Sequence, residues 1–259
     1  MPSFALLGSG EFEPWTEPVD RWLLEGATGD GSVLILPAAS APEGEEVFER
    51  WAALGLEHYE ELGIPADVVP LKTREDAERE DLIRMLDSAS VVFFSGGNPA
   101  YLASVLSGSS FWEAVVSRMD GGMGYGGCSG GIACLGEVAI DSSITDFASS
   151  ELWKPGLRLF PNVWFGPHWD ALDRYVPGLQ AQFIAAVPAG ARLLAIDERT
   201  AVVGDGKEWS VMGAGEAWLI QDDGGQSFVS GMAFHAPLLE SPVVEAMPTA
   251  SESDSRPAS

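Results

Sequence analysis

Short runs of Val, Ile, Leu and Phe recur along the chain with longer amphipathic stretches between them. That is the pattern of buried parallel strands joined by crossover helices. Ser3 to Leu7 and Ser32 to Leu36 are the first two runs, each closed by Gly or Pro. Between Glu45 and Leu62 the positions Val47, Trp51, Leu54, His58 and Leu62 recur at steps of three and four among glutamates, which predicts an amphipathic helix with those residues on its buried stripe. A third strand fits Ala66 to Leu71, and a polar helix runs from Thr73 to about Leu86. Ser90 to Phe94 is the most strand-like run in the chain, breaking at Gly96-Gly97. Asn98-Pro99 then opens a helix through Leu102 and Leu106, and a helix at Phe111 to Met119 precedes a Gly-rich strand over Gly122 to Gly126.

Beyond about Gly136 the pattern changes to shorter strands: Val163 to Gly166, Arg192 to Ile196, Ala201 to Val203, Trp209 to Met212 and Ala217 to Ile220. Val203-Gly204-Asp205-Gly206 and Asp222-Asp223-Gly224-Gly225 read as hairpin connections. The predicted fold is therefore a doubly wound α/β domain over residues 1–239, with a mostly parallel sheet and an antiparallel C-terminal extension. Residues 240–259, rich in Pro, Ser, Thr and Glu, have too few apolar groups to offset their ordering entropy and are expected to be disordered.

Composition narrows the function. The 259 residues carry 14 basic and 39 acidic side chains, a net charge of −25 that repels phosphate backbones and anionic membranes. No apolar run approaches the roughly 18–20 residues of a membrane span, and the N-terminus has no basic region, so a cytoplasmic location is expected. Two cysteines, Cys128 and Cys134, exclude a disulfide framework and a multi-cysteine zinc site. Three scattered histidines make no zinc cluster, and Gly8-Ser9-Gly10-Glu11-Phe12-Glu13 lacks the third glycine of a dinucleotide loop, so neither metal nor organic cofactor is expected. The expected partner is a small peptide or amide substrate, with no nucleic acid and no membrane; a homodimer is left open.

The chemistry-bearing segment is Gly127-Cys128-Ser129-Gly130-Gly131, which follows the Gly-rich strand and can lead into a helix. A serine hydroxyl is a poor nucleophile unless it is presented on a sharp turn, near a base, with backbone amides facing the developing oxyanion. The G-x-S-x-G elbow meets those demands, with Ser129 as nucleophile and the Gly130 amide as one oxyanion donor. Shifting the frame by one, Gly126-Gly127-Cys128-Ser129-Gly130 fits a cysteine elbow, as in a glutamine amidotransferase or thiol hydrolase. A Gly-rich turn that merely packs a helix on a sheet is the third reading.

Phe93-Phe94-Ser95-Gly96-Gly97-Asn98-Pro99, the Ser129 turn, and Ala195-Ile196-Asp197-Glu198-Arg199-Thr200-Ala201 together resemble the aspartyl dipeptidase and cyanophycinase family of serine peptidases. The resemblance implies a flavodoxin-like, class I glutamine amidotransferase-like fold and places the serine at Ser129. Gly130 stands where that family has alanine. The resemblance also implies that the Gly96-Gly97-Asn98 loop lies over the nucleophile, with the Gly97 amide as second oxyanion donor. Asn98 and Arg174 are expected to contact the substrate.

His58 falls on a helical stripe and His235 in a late apolar run, so both read as structural, whereas His168 sits in the turn Pro167-His168-Trp169-Asp170 after a strand and is the expected base. An imidazole more than about 6 Å from the serine hydroxyl would instead favour an inactive binding or scaffold role. In the family the equivalent histidine usually follows an acidic residue and precedes several arginines. Here Gly166 and Pro167 precede it and only Arg174 follows closely, so the family's substrate pocket does not carry over. By resemblance the third member is Glu198, with Asp141, Asp146 and Asp170 as rivals for orienting the imidazole.

Overall fold

The computed structural model describes residues 2–147 and 149–239; the tail expected to be disordered lies outside them. The elements in chain order are β1 (Ser3–Leu7), α1 (Glu17–Gly26), β2 (Val33–Leu36), α2 (Glu45–Glu61), β3 (Ala66–Val68), α3 (Glu80–Met85), β4 (Val91–Phe94), α4 (Pro99–Leu106), α5 (Ser110–Asp120), β5 (Gly124–Cys128) and α6 (Gly130–Ala133). They continue with β6 (Val138–Ile140), β7 (Trp153–Pro155), β8 (Val163–Gly166), α7 (Leu172–Tyr175), α8 (Leu179–Ala186), β9 (Arg192–Ile196), β10 (Thr200–Gly204), β11 (Glu208–Gly213), β12 (Glu216–Gln221), β13 (Gly224–Val229) and β14 (Ala233–His235).

An eight-stranded sheet, in the order β14-β11-β10-β1-β5-β4-β2-β3, forms the centre. Strands β1 to β5 pair in parallel, and β10, β11 and β14 extend the sheet antiparallel from β1, as the sequence pattern predicts. Both faces of the inner strands are covered, so Val33 and Ile35 enter one apolar cluster with Val19, Leu23 and Tyr59 of α1 and α2. Leu34 and Leu36 enter the other, with Leu102, Val115 and Ile132 of α4, α5 and α6. This two-sided burial is why the strands are continuous apolar runs rather than alternating ones.

Several elements depart from the sequence reading. Helix α1 was not expected, although Pro18 in its first turn and the Val19, Trp22, Leu23 spacing are helix signals. Helix α2 is turned relative to the predicted stripe: it buries Phe48, Ala52, Gly55, His58 and Tyr59, while Leu54 is exposed. Size explains the rotation, since a Cβ on Gly55 would lie 2.9 Å from Ile35 Cδ1 and the small residues let the helix sit close on the sheet. The polar helix expected from Thr73 to Leu86 is broken into a 3-10 turn at Asp76–Glu78 and the short α3. The C-terminal strands do not all join the main sheet: β13-β12-β9-β8 form a second sheet, and β6 and β7 a two-stranded ribbon.

Candidate active site

Strands β1, β4 and β5 end side by side, pairing Leu7 with Cys128 and Phe94 with Gly127. Their following loops therefore converge at the carboxyl edge of the sheet, where open α/β sheets bind ligands. Ser129 caps β5 with φ +50° and ψ −109°, a conformation that costs about 1–3 kcal/mol and persists only when the surroundings fix it. Here they do: the Ser129 amide donates to the Leu7 carbonyl at 3.1 Å, and the Ser129 carbonyl accepts from the amides of Ile132 and Ala133, the last two residues of α6. Gly131 permits the close seat of α6, because a Cβ there would lie 2.1 Å from the Phe94 carbonyl oxygen.

The second sheet delivers the imidazole and its carboxylate. Strands β8 and β9 run parallel, with Gly166 paired to Ala195, so the loops after them leave from the same edge. His168 adopts a left-handed conformation (φ +54°, ψ +32°) held by the Ala171 amide on its carbonyl at 2.8 Å. Its Nε2 lies 2.9 Å from Ser129 Oγ, and its Nδ1 lies 3.2 Å from Glu198 Oε1. Glu198 is itself held from several sides. Its amide donates to Asp170 Oδ1 at 2.8 Å, Arg174 reaches its Oε2 at 3.1 Å, and the Tyr175 hydroxyl donates to Oε1 at 3.3 Å. Burial and then the Glu198 charge raise the Tyr175 phenol above its ordinary value, which keeps it a donor. The imidazole and Glu198 side chains remain about a third exposed, at 30% and 32%.

The loop after β4 meets this pair from the other side. Gly97, at φ +139°, presses on the Ala38–Glu43 turn so closely that a Cβ would fall 2.3 Å from the Ala39 carbonyl carbon. The adjacent Asn98 amide donates to the Ala39 carbonyl at 2.8 Å, and the Gly96 amide donates to the buried Glu11 carboxylate at 2.8 Å. Gly97 and Gly130 stack backbone on backbone: an alanine Cβ at Gly130 would sit 2.6 Å from the Gly97 carbonyl oxygen. Among the described residues, neither the Gly97 nor the Gly130 amide donates to a protein acceptor.

The remaining sequence candidates lie elsewhere. Asn98 caps α4, accepting from the Tyr101 amide at 3.1 Å, and its Nδ2 donates to Asp141 Oδ1 at 2.9 Å. The Ser143 hydroxyl, and after it Asn98, hold the Asp141 carboxyl below its usual value. Arg174 spans Asp170 and Glu198, both at 3.1 Å. Asp170 thus meets Glu198 rather than the imidazole, and Asp146 lies in the segment between β6 and β7. Cys128 is fully buried in the cluster beneath the sheet; burial, then the neighbouring Glu11 charge, push its thiol well above the ordinary value. His58 is buried against Asp20, and His235 is exposed on the edge strand β14, paired with Glu208 rather than packed in the core. Glu11 and Tyr175 were not singled out from sequence, though a carboxylate in the glycine-rich loop directly after β1 is placed by topology at the carboxyl edge.

A cavity of about 680 Å3 opens onto Ser129, His168 and Gly97, with walls from the β6–β7 ribbon and its connecting segment and from α7 and α8. Among the described residues no cluster of three or more His, Cys, Asp or Glu is positioned for a metal ion, and no helix is long and apolar enough to cross a membrane.

The fold and these convergent loops define a doubly wound α/β protein whose serine, histidine and glutamate meet at the carboxyl edge of the strands. The model of peptidase family S51 matches residues 4–212, and the chain belongs to that family. The cyanophycinases of Trichormus variabilis and Nostoc sp. are each 28% identical over 202 residues, a stretch covering 73% of this chain and 62% of theirs. The chain thus spans less than two thirds of those relatives' length. The crystal structure of a peptidase from an acI-B1 Actinobacterium superposes with a TM-score of 0.82 at 26% identity, covering 91% of this chain and 97% of that one.

Proposed function

We propose that the protein is a serine-type hydrolase of peptide or amide bonds, with Ser129 as nucleophile, His168 as general base and Glu198 orienting the imidazole. The observation that carries this reading is the contact of Ser129 Oγ and Glu198 Oε1 with opposite nitrogens of one imidazole, at 2.9 and 3.2 Å. In that arrangement Nε2 accepts the hydroxyl proton while the carboxylate fixes the Nδ1–H tautomer and stabilises the imidazolium formed on attack. Ser129 Oγ adds to the substrate carbonyl, and the amides of Gly97 and Gly130 stand available for the oxyanion. His168 then returns the proton to the leaving amine. Water, deprotonated by the same imidazole, releases the acyl group and restores Ser129. In this reading Arg174 and Tyr175 hold Glu198, and Asn98 braces the oxyanion loop; neither Asn98 nor Arg174 is assigned to substrate.

A Cys128 nucleophile has no comparable support, because the thiol is sealed in the core and burial holds it protonated. The test is the intact mass after treatment with a small fluorophosphonate. A single adduct is expected on the wild type and on Cys128→Ala, and none on Ser129→Ala. Labelling that survives Ser129→Ala would overturn the assignment.

A further inference from the structure

The cavity beside Ser129 is more specific than the triad geometry. Ile140 and Trp153 of the ribbon form one wall, and Leu172, Leu179 and Phe183 the other. The two walls meet in one aromatic cluster, with Phe183 edge-on to Trp153 at 5.1 Å and further rings of Trp164 and Trp169 at 6.2 and 6.0 Å from Phe183. Such interlocked rings give a preformed surface. Among the described residues no Asp, Glu, Lys or Arg lines the cavity, and the polar side chains that reach it besides Ser129 and His168 are the uncharged Ser142, Tyr175 and Gln182. The cations nearest in the chain are already engaged: Arg174 by Asp170 and Glu198, Lys154 by Glu151, and Arg158 by Glu137.

From this lining we infer that the site selects substrates by a bulky, uncharged apolar group beside the scissile carbonyl, an aromatic or branched aliphatic side chain that fills the cavity. The inference rests on the serine-hydrolase reading above. A substrate carboxylate or guanidinium placed there would lose its hydration with no partner to replace it. The overall charge of −25 adds a long-range penalty for anionic substrates. A volume of about 680 Å3 falls within the range of pockets that bury most of a small ligand.

Three fluorophosphonates that differ only in the chain on phosphorus test the inference: methyl, octyl and ω-carboxyoctyl. In each reaction an Oγ–P bond forms at Ser129, the P–F bond breaks with loss of fluoride, and the hydroxyl proton passes to His168. Second-order labelling rates are read by intact mass. Each buried methylene gives about a three- to fourfold gain, so octyl is expected to label about 100-fold faster than methyl once several methylenes are buried. The ω-carboxyoctyl probe is expected to label more slowly than octyl. Ile140→Arg should lower the ratio of octyl to carboxyoctyl rates by about tenfold, a ratio independent of the variant's overall activity. Equal octyl and methyl rates at Ser129, a faster carboxyoctyl probe, or an unchanged ratio in Ile140→Arg would overturn the inference and leave the hydrolase reading standing. Failure of all three probes to label Ser129 would remove both.

Discussion

Among the described residues, two groups combine a hydroxyl, an imidazole and a carboxylate. Thr16, His58 and Asp20 meet between α1 and α2, and Ser129, His168 and Glu198 meet at the carboxyl edge of the sheet. In the first, hydroxyl and carboxylate crowd the same nitrogen: His58 Nε2 lies 3.2 Å from Thr16 Oγ1 and 2.8 Å from Asp20 Oδ2. The Tyr59 hydroxyl closes the group from the far side of Asp20, its phenol pushed well up by burial and then by the Asp20 charge, and His58 and Asp20 are only 5% exposed. In the second, the partners take opposite nitrogens, and the ring faces a cavity. The residue types alone are therefore not the device. A proton can be passed only where the base has one nitrogen toward the nucleophile and the other held, and where a substrate can enter.

Removing each imidazole is the hardest test of that contrast. His168→Ala is expected to lower kcat/KM by about 10^6-fold while leaving the urea midpoint nearly unchanged. His58→Ala is expected to do the reverse: it leaves a cavity and takes one hydrogen bond from the buried Asp20, which keeps those of Thr16 and Tyr59, and lowers unfolding free energy by about 2–4 kcal/mol, with fluorophosphonate labelling of the folded fraction retained. Loss of labelling in folded His58→Ala would collapse the distinction.

A smaller effect is expected at the loop that only the open group possesses. Gly97→Ala puts a Cβ against the Ala39 carbonyl, so the loop must move; the loss of one oxyanion donor predicts a fall of about 10^2- to 10^3-fold in kcat, measured on the substrate that the site turns over best. Wild-type turnover in folded Gly97→Ala would remove that amide from the mechanism.

The smallest effect concerns acid. Asp141, tied to Ser143 and Asn98 at the rim, has its carboxyl held below the ordinary value in the folded protein. The folded state therefore binds fewer protons there than the unfolded state, and the resulting stabilisation is present above the unfolded value of about 3.9 and lost as pH falls through the lower folded value. Urea midpoints of wild type and Asp141→Asn between about pH 3 and 5 should converge as the pH drops. A constant gap across that window would argue against the Asp141 hydrogen bonds as its source.

What could be read from sequence follows the range of the forces involved. The inner strands were legible because burial on both faces leaves an uninterrupted apolar run such as Val33-Leu34-Ile35-Leu36. The Ser129 turn was legible because close packing demands glycine at fixed offsets. The face of α2 was misread because large residues were assumed to point inward, whereas the tight approach to Ile35 favours Ala52 and Gly55. The second sheet could not be read locally: β9 bonds β8 in parallel and β12 antiparallel, pairings set by contacts distant in sequence. For the same reason the holding of Glu198 by Arg174 and Tyr175 had no signal in the one short helix turn that supplies both.

The strands and turns that carry Ser129 and Gly97 belong to the central sheet, whereas the cavity walls belong to the β6–β7 ribbon and to α7 and α8, which take no place in that sheet. In the proposed reading α7 belongs to both, since it walls the cavity and its Arg174 and Tyr175 hold Glu198, while the ribbon and α8 contribute to the cavity alone. In that reading the ribbon and α8 can be lengthened, shortened or recoloured in polarity while Ser129, His168 and Glu198 keep their register, so new preferences arise by exchange of those parts, whereas α7 is tied to the chemistry through Glu198.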